Sequence, residues 1–301
     1  PLPHPRANHA AVALPDGRAL LIGGRDDKHP DLRSTVFWEP RTRSFREGPP
    51  LLAARNDPTA VTLTDGAVLV LGSDHDDDLE RGTRAELLRS GADAWEPAGQ
   101  TVRIFEPGPV CVSGSSVVIT GGRANGFGYA IVDGVTYAPP RDPNTEVWDS
   151  ASRSWRTAGE VAHPGERGEG VTLADGRILV VGGWNQGDVV TASTLWDPST
   201  EQWSPTGALA LARSGLALTA LPDGRAAVSG GMTMEPYQDT QAVEVWDSSR
   251  GGWSPGTPLA AGRAGHRVVP LGAGRFLVVG SSRVTPDSDP ETTSEVWRPV
   301  S

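Results

Sequence analysis

Two histidines of this chain stand inside runs of aspartate. One run reads Asp26-Asp27-Lys28-His29, the other Asp74-His75-Asp76-Asp77-Asp78. An imidazole beside carboxylates can give or take a proton near neutral pH. His29, His75 and Asp76 are therefore candidate proton carriers. A second set is defined by spacing. Counting eleven residues back from successive turn glycines reaches Arg6, Arg55, Arg103, Gly165, Arg213 and Arg263, with Arg167 two residues beyond the exceptional glycine. Guanidinium forks suit carboxylates or phosphates. The alternative is that an arginine recurring with a repeat belongs to the scaffold and bridges its parts. His9 and His266 follow Arg6 and Arg263 by three residues, either as an acid/base pair or as structural partners of those arginines. A third set is apolar: Phe127, Tyr129, Tyr137, Trp184, Met232, Met234 and Tyr237, which include all 3 tyrosines of the chain.

Other chemistries find little support. Asp74, Asp76 and Asp78 alternate as calcium ligands do, but the loop lacks the glycine and the distal glutamate of a calcium-binding loop. No pair of histidines has transition-metal spacing. Phosphate-loop, dinucleotide and serine-nucleophile motifs are absent. Lys28, the one lysine, invites imine chemistry beside Asp27 and His29 but is read as an ordinary exposed loop amine. No cofactor and no metal is expected.

These residues are placed by a repeat. A turn, usually Asp-Gly, recurs at Gly17, Gly66, Gly114, Gly176, Gly224 and Gly274, and a Gly-Gly or Gly-Ser pair follows from Gly23, Gly72, Gly121, Gly182, Gly230 and Gly280. The stretches between are apolar and β-branched, which marks tight hairpins. Large residues seven apart complete each unit: Trp38/Phe45, Leu88/Trp95, Trp148/Trp155, Trp196/Trp203 and Trp246/Trp253, with Trp297 beginning a sixth pair. Each repeat thus encodes four short strands, A and B around the turn, then C and D carrying the large residues. One such sheet cannot bury both faces alone, so the sheets must stack radially.

A strand, a Gly-Gly pair, a variable loop and two aromatics at this spacing resemble the kelch motif over residues 6 to 297. The departures are Ser73 and Ser281 for the second glycine and Leu88 for the first aromatic. The resemblance implies an all-β, six-bladed kelch propeller of four-stranded antiparallel blades. It forms a single domain over 1–301, with blades near 6–50, 51–99, 100–159, 160–207, 208–257 and 258–301. The last blade should have a short or missing outer strand. It also implies that A is innermost, so that the arginines ring a channel mouth and the B–C loops share one face with them. That mouth would be acidic on the side of blades 1 and 2 and aromatic on the side of blades 3 to 5. The step from Gly121 to Trp148 spans 27 residues, against 14 to 17 elsewhere, and a loop of that length is expected to fold over the mouth. Galactose oxidase has kelch blades, but its copper site depends on a Tyr–Cys crosslink and further His and Tyr ligands. Cys111 lies inside strand A of blade 3, where a small buried hydrophobe is expected, so oxidase chemistry is not expected.

The net charge of −10 argues against nucleic acid or an anionic membrane as partner, and no apolar run is long enough to span a bilayer. A cytoplasmic location is the mild preference, although a start at Pro1 is also compatible with a removed signal peptide. The functional expectation is a cofactor-free enzyme acting on a small, partly apolar molecule by acid/base chemistry, of isomerase, lyase or cyclase type. In it His29, His75 and Asp76 move protons, Arg6, Arg55, Arg103, Arg213 and Arg263 hold an anion, and Phe127, Tyr129, Trp184 and Tyr237 hold the apolar part. The alternative is a non-catalytic binding module for a protein or acidic peptide.

Overall fold

The computed structural model describes residues 2–72, 83–102, 104–124, 130–132, 135–137, 144–161, 168–185, 188–280 and 294–299. The chain is an all-β, six-bladed propeller of antiparallel blades in which strands run in the order A-B-C-D. It divides into two compact units, Pro1–Ala158 and Gly159–Ser301, and the boundary falls within strand D of blade 3.

In the first unit, blade 1 consists of Ala10–Ala13, Ala19–Ile22, Thr35–Glu39 and Ser44–Glu47. Blade 2 consists of Thr59–Thr62, Val68–Leu71, Arg84–Leu88 and Glu96–Gln100. Blade 3 consists of Val110–Ser113, Ser116–Thr120, Asn144–Asp149 and Ser154–Glu160. In the second unit, blade 4 consists of Glu169–Thr172, Ile178–Val181, Ala192–Asp197 and Gln202–Ala208. Blade 5 consists of Ala217–Ala220, Ala226–Ser229, Val243–Asp247 and Gly252–Pro255. Blade 6 has three strands among the described residues, Arg267–Gly272, Arg275–Val279 and Ser294–Trp297, so the outer strand expected to be short or missing is indeed lacking there.

The turns form for local reasons. Gly17, Gly176 and Gly224 take φ of +88°, +86° and +86°, a region open to glycine and costly to other residues. In three turns the flanking residues clasp one another. Arg18, Arg177 and Arg225 donate Nε to Asp16, Asp175 and Asp223 at 2.7, 2.8 and 2.8 Å. Those arginine hydrogen bonds hold all three carboxyls below the usual range.

The large residues seven apart face each other across strands C and D. Trp196 pairs with Trp203 and Trp246 with Trp253 in direct register, and Trp38 and Phe45 stack at 4.8 Å between ring centroids. The indole N–H groups stitch successive blades within a unit. Trp148 Nε1 donates to the Ala98 carbonyl at 2.9 Å, Trp246 to Thr206 Oγ1 at 3.0 Å and Trp297 to the Thr257 carbonyl at 2.8 Å. The core is accordingly a set of wedges. Leu20, Ile22 and Phe37 meet Val68, Val70 and Leu88 between blades 1 and 2. Leu179, Val181 and Leu195 meet Ala226, Val228 and Trp246 between blades 4 and 5. Cys111 is a buried thiol of this core. No helix among the described residues is long and apolar enough to cross a membrane.

Candidate functional site

Of the repeated arginines, Arg6, Arg55, Arg213 and Arg263 are described; they stand just before strand A, and their donors turn inward to the protein. Arg55, with an exposed fraction of 0 %, sends Nε and Nη2 to Glu86 Oε1 at 3.2 and 3.0 Å, Nη1 to the Gly72 carbonyl and Nη2 also to the Arg84 carbonyl. Arg213 is equally buried and sends Nη2 to Glu244 Oε1 at 2.9 Å and Nη1 to the Gly230 and Ala242 carbonyls. Burial lowers its pKa against the raising effect of Glu244. Arg263 pairs with Glu295 at 3.2 Å. The same carboxylates accept backbone amides of the preceding linker. Glu86 takes Leu52 and Ala53, Glu244 takes Ala210 and Glu295 takes Ala260. Each Arg–Glu pair therefore ties a linker, the end of strand B and strand C into one node.

These glutamates were legible but unread. Glu86, Glu146, Glu244 and Glu295 each stand two residues before the first large residue of their repeat. Blade 4 has Thr194 at that place and Gly165 where the arginine would be. In blade 4 the two departures coincide, as expected if the glutamate is there for the arginine. Blade 1, with Val36 at the glutamate position, gives Arg6 other acceptors: Nη1 bonds the Gly23 and Ser34 carbonyls at 3.1 and 3.0 Å, and Nη2 bonds Ser34 Oγ.

Arg6 is the half-buried arginine of the set, and its pKa is lowered by burial although Asp26 works the other way. It lines an open hollow of about 310 Å³ with Pro5, Ala7, Arg25, Asp26 and Asp27. The hollow is built by a short β-bridge in which Ala7 and Arg25 exchange backbone hydrogen bonds at 2.9 Å. Asp26 then closes a turn. Its Oδ1 accepts the amides of Lys28 and His29 at 2.8 and 2.7 Å and meets His29 Nδ1 at 3.0 Å. The Lys28 amide is the main reason that the Asp26 carboxyl lies below its usual range, and the His29 amide and ring add to it. The His29 side chain is 62 % exposed. An ionised Asp26 favours the tautomer with the proton on Nδ1, which leaves Nε2 as an acceptor with no partner among the described residues.

His9 and His266 are less open: His9 is half-buried and His266 is buried. Burial, then Arg6, lowers the His9 pKa. His266 is 1 % exposed, its Nε2 lies 2.9 Å from Ser229 Oγ, and burial with Arg263 and Arg267 brings its pKa down to about 4. A folded value below the unfolded value of about 6.5 means that this histidine contributes stability above pH ~6.5. That contribution is lost as pH falls towards 4. Wild-type protein should lose roughly 2–3 kcal/mol through this group across that window, and the loss should vanish in His266→Gln. Urea midpoints measured at pH 7 and pH 4.5 for both proteins check it.

A titratable residue that the sequence reading passed over is Glu169, the first residue of strand A in blade 4. The first residues of that strand in blades 1, 2, 5 and 6 are Ala10, Thr59, Ala217 and Arg267. Burial raises the Glu169 pKa and Arg267 opposes the rise. An acidic residue heading an innermost strand was the available signal.

The B–C loops, read from the sequence as irregular, hold short hairpins. Met232–Met234 pairs with Tyr237–Asp239, Trp184–Asn185 with Asp188–Val189, and Ala130–Val132 with Val135–Tyr137. In blade 5 the alternation of Met232, Met234, Tyr237 and Asp239 around Glu235-Pro236 supplies strand period and turn in eight residues. Tyr237 is 68 % and Met234 42 % exposed at its tip. His75, Asp76, Arg103, Phe127 and Tyr129, the Asp74–Asp78 run and most of the long blade 3 loop lie outside the described residues, as does the side chain of Trp184. Among the described residues no group of three His, Cys, Asp or Glu side chains is placed to hold a metal ion.

Comparison with protein-family models finds no match to the chain, and comparison with curated proteins finds none either. The kelch resemblance therefore rests on the repeat itself.

Proposed function

We propose that the loop-bearing face of this kelch-like propeller binds a small, partly apolar molecule. On this reading the chain is a cofactor-free acid/base enzyme of isomerase, lyase or cyclase type. The observation that carries it is the His29–Asp26 pair, whose aspartate lines the hollow together with Arg6 and Arg25 while the His29 ring stands outside the lining. The carboxylate orients the ring and offsets the imidazolium charge that forms when Nε2 takes a proton. That is the part a carboxylate plays behind a general base. The hollow has the volume of a small-molecule site. His75 and Asp76 are proposed as further proton carriers. Arg6 and Arg25 would face the anionic end of the molecule.

Deuterium exchange tests this. Small hydroxy- and keto-carboxylates are incubated with the full chain in D₂O, and loss of the proton next to the carbonyl is followed by NMR. His29→Gln should slow exchange by about a hundredfold or more, while Lys28→Gln, an exposed neighbour, should not. Equal rates for wild type and His29→Gln would remove His29 from the mechanism.

A second reading, a binding module for a protein partner, is favoured by the exposed Tyr237 and Met234 on one hairpin, since exposed aromatics on rigid elements anchor interfaces. Tyr237→Ala would then abolish capture of that partner and leave exchange chemistry untouched.

A further inference from the structure

At the opposite end of the first two sheets, where the A–B and C–D turns lie, a hollow of about 410 Å³ opens between blades 1 and 2. We propose that it is a second binding site, for a small carboxylate carrying a flat apolar body. The floor is apolar: Phe37, Val68, Leu88 and Ala92 belong to the wedge core and line the hollow. Two guanidiniums lie on the Phe37 ring, with Arg18 Cζ 4.7 Å and Arg46 Cζ 4.4 Å from its centroid.

The donors of the two differ. Arg18 commits Nε and Nη2 to Asp16. Arg46 gives Nε to Glu39 at 3.1 Å and one Nη1 hydrogen to the Glu47 carbonyl at 3.3 Å, which leaves Nη2 without an acceptor among the described residues. Arg89, in the wall supplied by blade 2, gives Nε to Glu96 at 2.6 Å, and both its Nη groups have no acceptor among the described residues. The next residue, Ser90, has a hydroxyl with no acceptor among the described residues and also lines the hollow. The unspent hydrogen-bonding capacity on these walls is thus donor capacity from two arginines that are 52 % and 57 % exposed. A guanidinium held over a ring is restricted in its rotamers, so binding an anion costs it less further ordering than a free side chain would. Of the acidic residues in the lining, Asp16 is neutralised by Arg18, and Glu47 lies 3.4 Å from His4. Asp93 remains at the rim.

Comparison among the blades argues against a scaffold role. Phe37 faces Arg46 across strands C and D, and the same register pair is Leu87 and Glu96 in blade 2, Leu195 and Ser204 in blade 4, and Val245 and Ser254 in blade 5. What the fold requires is repeated. An aromatic ring covered by two arginines occurs in blade 1 and in none of those three.

Phenylacetate is the probe, with phenylacetamide as its uncharged counterpart and calorimetric titration as the readout. Saturable binding of phenylacetate is expected, with phenylacetamide weaker by at least tenfold. Arg46→Gln and Arg89→Gln should each weaken phenylacetate about tenfold with unchanged urea midpoints, since both side chains are exposed. Equal binding of the two probes, no saturable binding of phenylacetate, or variants that bind it like wild type would each overturn the proposal. None of these results depends on His29, so this site and the proposed enzymatic face stand or fall separately.

Discussion

Glu86→Gln should destabilise the first unit by about 3–5 kcal/mol, the range for removing one partner of a buried ion pair. The Arg55 guanidinium is fully enclosed and Glu86 is 2 % exposed, so the remaining charge has no water to turn to. The carboxylate also accepts the Leu52 and Ala53 amides at 2.6 and 3.2 Å, and a glutamine can satisfy only part of that set. The double variant Arg55→Met/Glu86→Leu removes both charges and should recover part of the loss. It should stop short of wild type, because the two linker amides are then left without an acceptor at about 1–3 kcal/mol each. Urea midpoints followed by tryptophan fluorescence measure all three proteins. A Glu86→Gln midpoint equal to wild type would show that the node does not hold the blade. A full rescue by the double variant would show that charge pairing, not the linker amides, is its whole content. The result bears on function because Arg55 can present an anion-binding fork only if this node is dispensable.

The second large effect concerns glycine. Gly230 has φ of +57°, and a Cβ added there would overlap the Arg263 carbonyl oxygen and stand 2.6 Å from His266 Cε1. Gly224, in the same blade, has φ of +86° and nothing within 4 Å of an added Cβ. Both substitutions to alanine force an L-residue into the left-handed region, at about 1–2 kcal/mol. Only Gly230→Ala adds an overlap with backbone that cannot move without breaking the 2.8 Å bond from the Gly231 amide to the same Arg263 carbonyl. Gly230→Ala should therefore cost about 3–5 kcal/mol, against about 1–2 kcal/mol for Gly224→Ala. Thermal or urea unfolding of the pair gives the difference directly. Equal losses would mean that the second glycine signal of the repeat reflects conformation alone and not the close approach of the next blade.

The candidate site was legible in unequal degree. The Asp26–His29 run pointed to a real pair, because an aspartate two and three residues ahead of free amides closes a turn by local geometry alone. The arginine series was found by counting, yet counting located the guanidiniums and not their acceptors. Glu86 and Glu244 lie 31 residues from Arg55 and Arg213, so no local rule pairs them, although their fixed place two residues before the first large residue of the repeat was open to counting. The exposed Tyr237 was picked out as a loop aromatic, while the hairpin that raises it came from an alternation too short to stand out.

Six blades, their strands, the turn glycines, the tryptophan ladder and the three strands described for blade 6 were determined by the amino-acid sequence alone. Strand period and positive-φ turns are local properties, and sixfold repetition averages away the exceptions. Tertiary structure alone decided which donors are spent and which stay open. It buried Arg55 against Glu86, laid Arg18 and Arg46 on Phe37 and left Arg46 Nη2 without an acceptor among the described residues, and it carried His266 far below its ordinary titration range. Desolvation and hydrogen-bond partnership depend on every surface that closes around a side chain, and those surfaces come from strands remote in the chain.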